Sequence, residues 1–171
     1  GTAVIENGKI INLKYIGSIN FRIAREVKDC SKKILKEIID IPNNSIFTTL
    51  LVSPPGYGKT TMLRDTIRNI SNGIPEVNFY GKICGLVDER GEIAAMYQGI
   101  PQNDIGIRTD VIENISKAQG MKILIRTMAP EVIACDEIGS KEDIEAIRRS
   151  HASRSKRNIY YAWKKYGRYK K

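Results

Sequence analysis

The chain has 171 residues, of which 42% are hydrophobic, with 28 Lys and Arg against 19 Asp and Glu. That length suffices for one α/β domain with a buried core, while no apolar run is long enough to span a bilayer and no secretory signal is visible. The net charge of +9 belongs to the end of the chain: residues 150–171 hold eight Lys and Arg and no acid, so residues 1–149 carry 20 basic against 19 acidic groups, which excludes a broadly basic body.

In chain order, residues 2–16 alternate about a turn at Asn7-Gly8, which predicts a hairpin. From Phe21 to Ile39 the apolar residues Ile23, Val27, Ile34, Leu35 and Ile38 fall at helical spacing, closed by Pro42 and Asn43-Asn44. Ile46 to Val52 predicts a first buried strand. A Gly/Pro-rich turn follows, then a helical pattern from Met62 to Ile70, broken at Ser71 to Pro75. Lys82 to Val87 predicts a second buried strand ending in Asp88-Glu89-Arg90. Gly99 to Thr109 has the composition of a loop, and Val111 to Lys117 is assigned a short helix. Lys122 to Arg126 suits either helix or strand. Glu131 to Cys135 is an apolar run typical of a parallel strand buried on both faces. Lys141 to Arg149 is helical, with Ser140 as cap and Asp143 at its third position.

The turn after the first strand is Ser53-Pro-Pro-Gly-Tyr-Gly-Lys-Thr-Thr61. Strand, glycine-rich turn, Gly-Lys-Thr and helix is the order a phosphate-binding loop requires. Ser53 stands where the usual pattern has Gly or Ala. Gly56 and Gly58 permit torsions that a Cβ would forbid, so that backbone N–H groups converge on phosphate oxygens at the positive end of a helix. Pro55, Gly56, Tyr57, Gly58, Lys59, Thr60 and Thr61 are the candidate ATP-binding residues. Lys59 reaches the β- and γ-phosphates, and the Thr60 hydroxyl ligates Mg2+. The competing reading is an ordinary turn between strand and helix.

Asp136-Glu137 ends the later apolar strand, and ligand groups of open α/β sheets sit at such carboxyl ends. Asp136 is therefore placed to hold Mg2+, directly or through water. Glu137 is placed to orient and deprotonate the attacking water. A solvated acidic strand end is the bland alternative. Cys30, Cys84 and Cys135 lie far apart, two of them in apolar runs, and His151 is the sole histidine. Reduced core thiols of a cytosolic protein are expected rather than a disulfide frame or metal cluster.

Several segments together resemble the stage III sporulation protein AA ATPases. They are Ser18-Ile-Asn-Phe-Arg-Ile-Ala-Arg-Glu26, Val87-Asp-Glu-Arg-Gly-Glu-Ile-Ala94, Gly106-Ile-Arg-Thr-Asp-Val111, Met121-Lys-Ile-Leu-Ile-Arg-Thr-Met-Ala-Pro-Glu-Val-Ile133 and Asp136-Glu-Ile-Gly139. The resemblance covers about residues 1–149. It implies a RecA-like P-loop core, a mostly parallel sheet flanked by helices, preceded by a short hairpin and helix. It further implies a Mg2+-dependent ATPase similar to the motor ATPases of type II and type IV secretion systems. That ATPase would act in the mother cell of an endospore-forming bacterium, at the inner face of the membrane. There it would drive or assemble a channel between mother cell and forespore. A homo-oligomer and membrane-associated channel proteins are the implied partners; nucleic acid is not, and no transmembrane segment belongs to the chain itself. Family members carry a further N-terminal domain, so Gly1 is expected to lie inside a longer sequence. Carried onto this chain, Glu89, Arg108 and Arg126 join Glu137 and Lys59 as candidate catalytic groups. Together with Arg90 they fall in motifs expected near the nucleotide. An arginine there stabilises transition-state charge, in cis or from a neighbouring subunit; the alternative for each is a local pair with Asp88, Glu92 or Asp110.

Three regions are expected: residues 1–40 as the remnant of an N-terminal region, 41–149 as the ATPase core, and 150–171 as a basic aromatic tail. The tail departs from the family, whose pattern continues into Ala-Gly-Val, an apolar strand and His-Gly. Reading the codons one nucleotide later permits both signatures, so a frame slip near residue 150 competes with a natural basic tail. Without the family strand, two buried edges are left unless Asn158 to Trp163 pairs between them. Without the His, weak nucleotide binding and slow hydrolysis are expected. Two further function classes remain at this stage. One is an ATP-switched single-strand nucleic-acid binder, in which Tyr160, Tyr161, Trp163, Tyr166 and Tyr169 interleave with Lys and Arg. The other is an inactive scaffold.

Overall fold

A computed structural model of the chain describes residues 1–21, 26–54, 56–152 and 158–164, with side chains up to residue 148. The chain opens with the expected hairpin: β1 (Thr2–Glu6) pairs antiparallel with β2 (Lys9–Lys14). Its turn uses Asn7 at φ 50° and Gly8 at φ 74°, the paired positive torsions that match the twist of two-residue hairpins.

The helix expected over Phe21–Ile39 is shorter: α1 spans Lys32–Ile38. Residues 26–31 are loop and turn, and 22–25 lie outside the described residues. The cause is tertiary. Asp65 is 3% exposed, and its carboxylate accepts the N–H groups of Asp29 (3.0 Å) and Ser31 (2.8 Å) and the Ser31 hydroxyl (2.7 Å). Asp29 takes φ 66° to reach it, which holds the chain out of helix until Lys32.

The strand expected over 46–52 divides. β3 (Ile39–Asp40) and β4 (Ser45–Ile46) form a small antiparallel ladder, and β5 (Thr49–Ser53) follows. The helix after the glycine-rich turn, α2, runs over Lys59–Asn72, extending the expected 62–70 pattern at both ends. It gives way to β6 (Gly73–Ile74) and β7 (Phe79–Tyr80), then to the second expected strand, β8 (Cys84–Asp88). The loop expected over 99–109 is open but for β9 (Met96–Tyr97) against β10 (Ile100–Pro101). The short helix expected at Val111–Lys117 is a strand, β11 (Thr109–Glu113), parallel to β8. Its β-branched residues face two ways: Val111 packs into one core and Ile112 into the other. Lys122 to Arg126 belongs to a helix, α3 (Lys117–Thr127). β12 (Val132–Asp136), α4 (Lys141–Ala152) and β13 (Asn158–Lys164) complete the described elements. The α4 capping box forms as expected: the Asp143 N–H donates to Ser140 Oγ (3.0 Å), and the Ser140 N–H donates to Asp143 Oδ2 (3.0 Å).

Five strands form one parallel sheet in the order β11-β8-β12-β13-β5. β13 lies between β12 and β5, pairing Val132 with Asn158 and Leu51 with Ala162. The strand that Asn158–Trp163 was asked to supply is therefore present. Alternate residues of β8 and β12 bury on opposite faces. Cys84, Leu86, Val132 and Ala134 meet Leu63, Ile67 and Ile70 of α2 and Leu35 and Ile38 of α1. Val87, Ile133 and Cys135 meet Met121 and Leu124 of α3. Helices thus cover both faces, and burial pushes the Cys84 and Cys135 thiols up to about 12. Cys30 is half-buried. Because all five strands are parallel and in close register, Ser53, Asp88, Glu113, Asp136 and Lys164 end along one edge.

Candidate functional site

At that edge β5 turns through residues 53–58 into α2. Gly56 (φ 82°) and Gly58 (φ 76°) hold torsions that L side chains rarely adopt, and a Cβ on either would point into open space. The glycines therefore serve the backbone path and leave the concave side unfilled. The Lys59 ammonium lies over the same loop, donating to the Ser53 (3.2 Å) and Pro54 (2.9 Å) carbonyls. Tyr57 is exposed, and Thr61, one turn into α2, accepts the Cys30 thiol on its carbonyl. Pro55 lies outside the described residues.

The acidic strand end faces this loop across β13. The Thr60 hydroxyl donates to Asp136 Oδ2 at 2.9 Å, joining positions 76 residues apart. Asp136 Oδ1 accepts the Glu137 N–H (2.9 Å). Burial raises the Asp136 pKa above its ordinary value, and the Thr60 hydrogen bond offsets only part of that. A half-buried carboxylate beside a hydroxyl, short of cationic compensation, is a donor set that fits a divalent cation shared with phosphate oxygens. Glu137 follows at φ 42°, a costly torsion for a non-glycine residue that persists where surrounding structure enforces it.

A turn at residues 88–94 forms the third wall. Asp88 is 1% exposed, and its carboxylate accepts the N–H groups of Glu92 (3.0 Å), Ile93 (3.0 Å) and Ala94 (2.9 Å). Arg64, buried on α2, donates from Nη2 to the Glu92 carbonyl (2.7 Å) and from Nε to the Ile93 carbonyl (2.6 Å). Helix α2 and the turn are thereby tied together. The turn projects Glu89 and Arg90. Glu89 pairs with Lys117 at the start of α3, and Arg90 Nη1 lies 3.2 Å from Glu137 Oε2. Beyond them opens a cleft of about 830 Å3 bounded by the first turns of α3 and α4.

Lys59, Thr60, Asp136, Glu137 and Glu89 are thus gathered at one edge of the sheet. Arg108 and Arg126 are not. Arg108 precedes β11, and its guanidinium donates to the Ser71 carbonyl (3.1 Å) at the far end of α2. Arg126 sits in the last turn of α3, which places it at the starting edge of the strands. Neither lies beside the glycine-rich turn at residues 53–58 of its own chain. Both expectations came from motif membership, which says nothing about which end of a strand a residue occupies. Arg64 was missed. Its spacing four residues after Thr60 was visible, but its burial against the 88–94 turn was not.

The family described as sporulation stage III, protein AA matches residues 1–157. The chain belongs to that family. The match runs eight residues past the boundary at 149 expected from sequence. Stage III sporulation protein AA of Bacillus subtilis (strain 168) is 42% identical over 147 residues, covering 86% of this chain and 46% of that protein. An uncharacterized protein, ycf45, of Cyanidium caldarium is 31% identical over 142 residues, covering 81% of this chain and 37% of its own length. The chain therefore spans less than half the length of these curated relatives. Among solved structures, the X-ray structure of the Legionella pneumophila ATPase DotB matches 69% of this chain and 30% of its own, at 19% identity and a TM-score of 0.48.

Proposed function

We propose that this chain is the nucleotide-binding core of a RecA-like P-loop ATPase, requiring Mg2+ and acting in a sporulation channel or secretion-type complex. The observation that carries the reading is the Thr60–Asp136 hydrogen bond, which brings the end of the glycine-rich loop and the acidic strand end into one cradle. An ordinary turn and a solvated acidic strand end have no reason to meet. In this reading the loop N–H groups and Lys59 hold the phosphates of ATP, and Thr60 and Asp136 hold Mg2+. Bound there, Mg2+ would supply charge neutralisation on the phosphate oxygens. Glu137 accepts the proton of the attacking water, and Lys59 balances the charge that develops on the transferred group.

Sporulation as the setting rests on family membership. The mother cell, the inner face of the membrane, channel proteins as partners and assembly into a homo-oligomer belong to the same proposal. Among the described residues, no helix is long and apolar enough to cross a membrane. Arg108 and Arg126, remote from their own loop, are available to this reading only as contributions to a neighbouring subunit.

Calorimetry and turnover with MgATP test it. Lys59→Ala is expected to lower hydrolysis by roughly 100-fold or more, the scale of losing one preorganised charge-stabilising donor. No heat of binding to the native chain, or equal turnover by native and variant, would overturn the reading.

A further inference from the structure

The 88–94 turn is held more firmly than a connection between two strands needs. One buried carboxylate, Asp88, takes three of its N–H groups, and one buried guanidinium, Arg64, takes two of its carbonyls. Gly91 sits at φ 66°, and the Gly91 N–H closes back on the Asp88 carbonyl (3.3 Å). What this frame presents is Arg90, 64% exposed, with its guanidinium against the carboxylate of Glu137. An exposed ion pair of this kind adds little to stability. A costly backbone frame for a pair of small energetic value points to orientation as its purpose. Glu137 itself holds φ 42°, a costly torsion of the kind that surrounding structure enforces at functional sites.

We propose that Arg90 is a positioning residue that aims the Glu137 carboxylate, and that Arg64 and Asp88 transmit the placement of the phosphate helix to it through the 88–94 turn. This rests on the reading of Glu137 as the carboxylate that activates water. The chain of contacts is continuous. Thr60 and Arg64 lie one turn apart on α2; Arg64 holds the turn; the turn carries Arg90; and Arg90 meets Glu137, next to the Asp136 that Thr60 already holds. A shift of α2 at its phosphate end therefore moves both the Mg2+ donors and the arginine that orients the base. Lys117 pairs with the adjacent Glu89 on the other side of the turn, so Glu89 does not compete for Arg90.

The test uses the 171-residue chain and Arg90→Ala, Arg90→Lys, Glu137→Gln and the double variant Arg90→Ala/Glu137→Gln. Arg90→Ala is expected to lower kcat on the order of 10–100-fold, the cost of a misplaced reacting group, with KM and MgATP affinity within about twofold. Arg90→Lys should recover part of kcat. In the Glu137→Gln background, Arg90→Ala should change nothing further, because it acts only through that carboxylate. An unchanged kcat, an equal loss in affinity, or full additivity in the double variant would overturn the proposal. If the native chain shows no Lys59-dependent hydrolysis, the functional reading fails, and the pairing is decided separately. The NMR signal of the Arg90 Nε–H group is expected to move on Glu137→Gln and to stay in place on Glu142→Gln; its indifference to Glu137 overturns the proposal.

Discussion

Asp136 carries conflicting demands. Burial raises its pKa, so the folded chain holds that proton more tightly than the unfolded chain does. A carboxyl shifted this way opposes folding. Its cost is absent well below the ordinary value of 3.8, grows as the pH rises toward the folded value, and is complete above it. Asp136→Asn removes the charge and leaves the Thr60 and Glu137 N–H hydrogen bonds a partner. Its melting temperature relative to the native chain is expected to climb with pH over that interval and level off a few degrees higher, as read by circular dichroism in metal-free buffer. The same variant should lose Mg2+-dependent nucleotide binding. A variant equally stable at every pH would mean that the carboxylate is compensated within the fold. This residue was legible from its place at the end of an apolar run; its hydrogen bond to Thr60 was not, because only the folded sheet brings the two together.

At the scale of elements, the strongest local signals survived folding and the short ones did not. The turn torsions of Asn7-Gly8 and the reciprocal cap at Ser140 and Asp143 act within a few residues, so sequence spacing suffices to read them. α1 was overextended because Asp65, 34 residues after Ser31, captures the N–H groups a longer helix would have used. β11 was assigned to helix because five residues carry too little periodicity to separate the two, and pairing with β8 decided it. Asp65 is the clearest element-scale test. Burial alone would raise its pKa, yet Ser31, Arg68 and the Asp29 N–H together hold it below 3.8. Its stabilising effect is therefore present above that value and fades as the pH falls through the lowered folded value. Asp65→Ala leaves those donors without their acceptor and is expected to cost about 3–5 kcal/mol at neutral pH in urea unfolding. A loss below 1 kcal/mol would show that α1 docks without it.

For the molecule as a whole, the α/β class and the two-sided burial of the sheet followed from apolar runs alternating with helical patterns, whereas the strand order did not. The last described strand, β13, supplies the ladder between β12 and β5. Removing residues 150–171 would leave β5 without its described partner in the sheet and bare one side of β12, and the shortened chain is expected to lose its cooperative thermal transition. A retained transition at the native temperature would show that β13 is dispensable. The codons of the same segment decide the frame-slip proposal: a gene that does not permit the shifted reading rules it out. The sheet order also has a consequence for biogenesis. Among the described residues, β5 meets no other strand of the sheet than β13, more than a hundred residues later in the chain. On the ribosome, residues 49–53 therefore wait without that pairing until residues 158–164 have emerged. In that interval the nascent chain presents an aggregation-prone edge suited to chaperone protection.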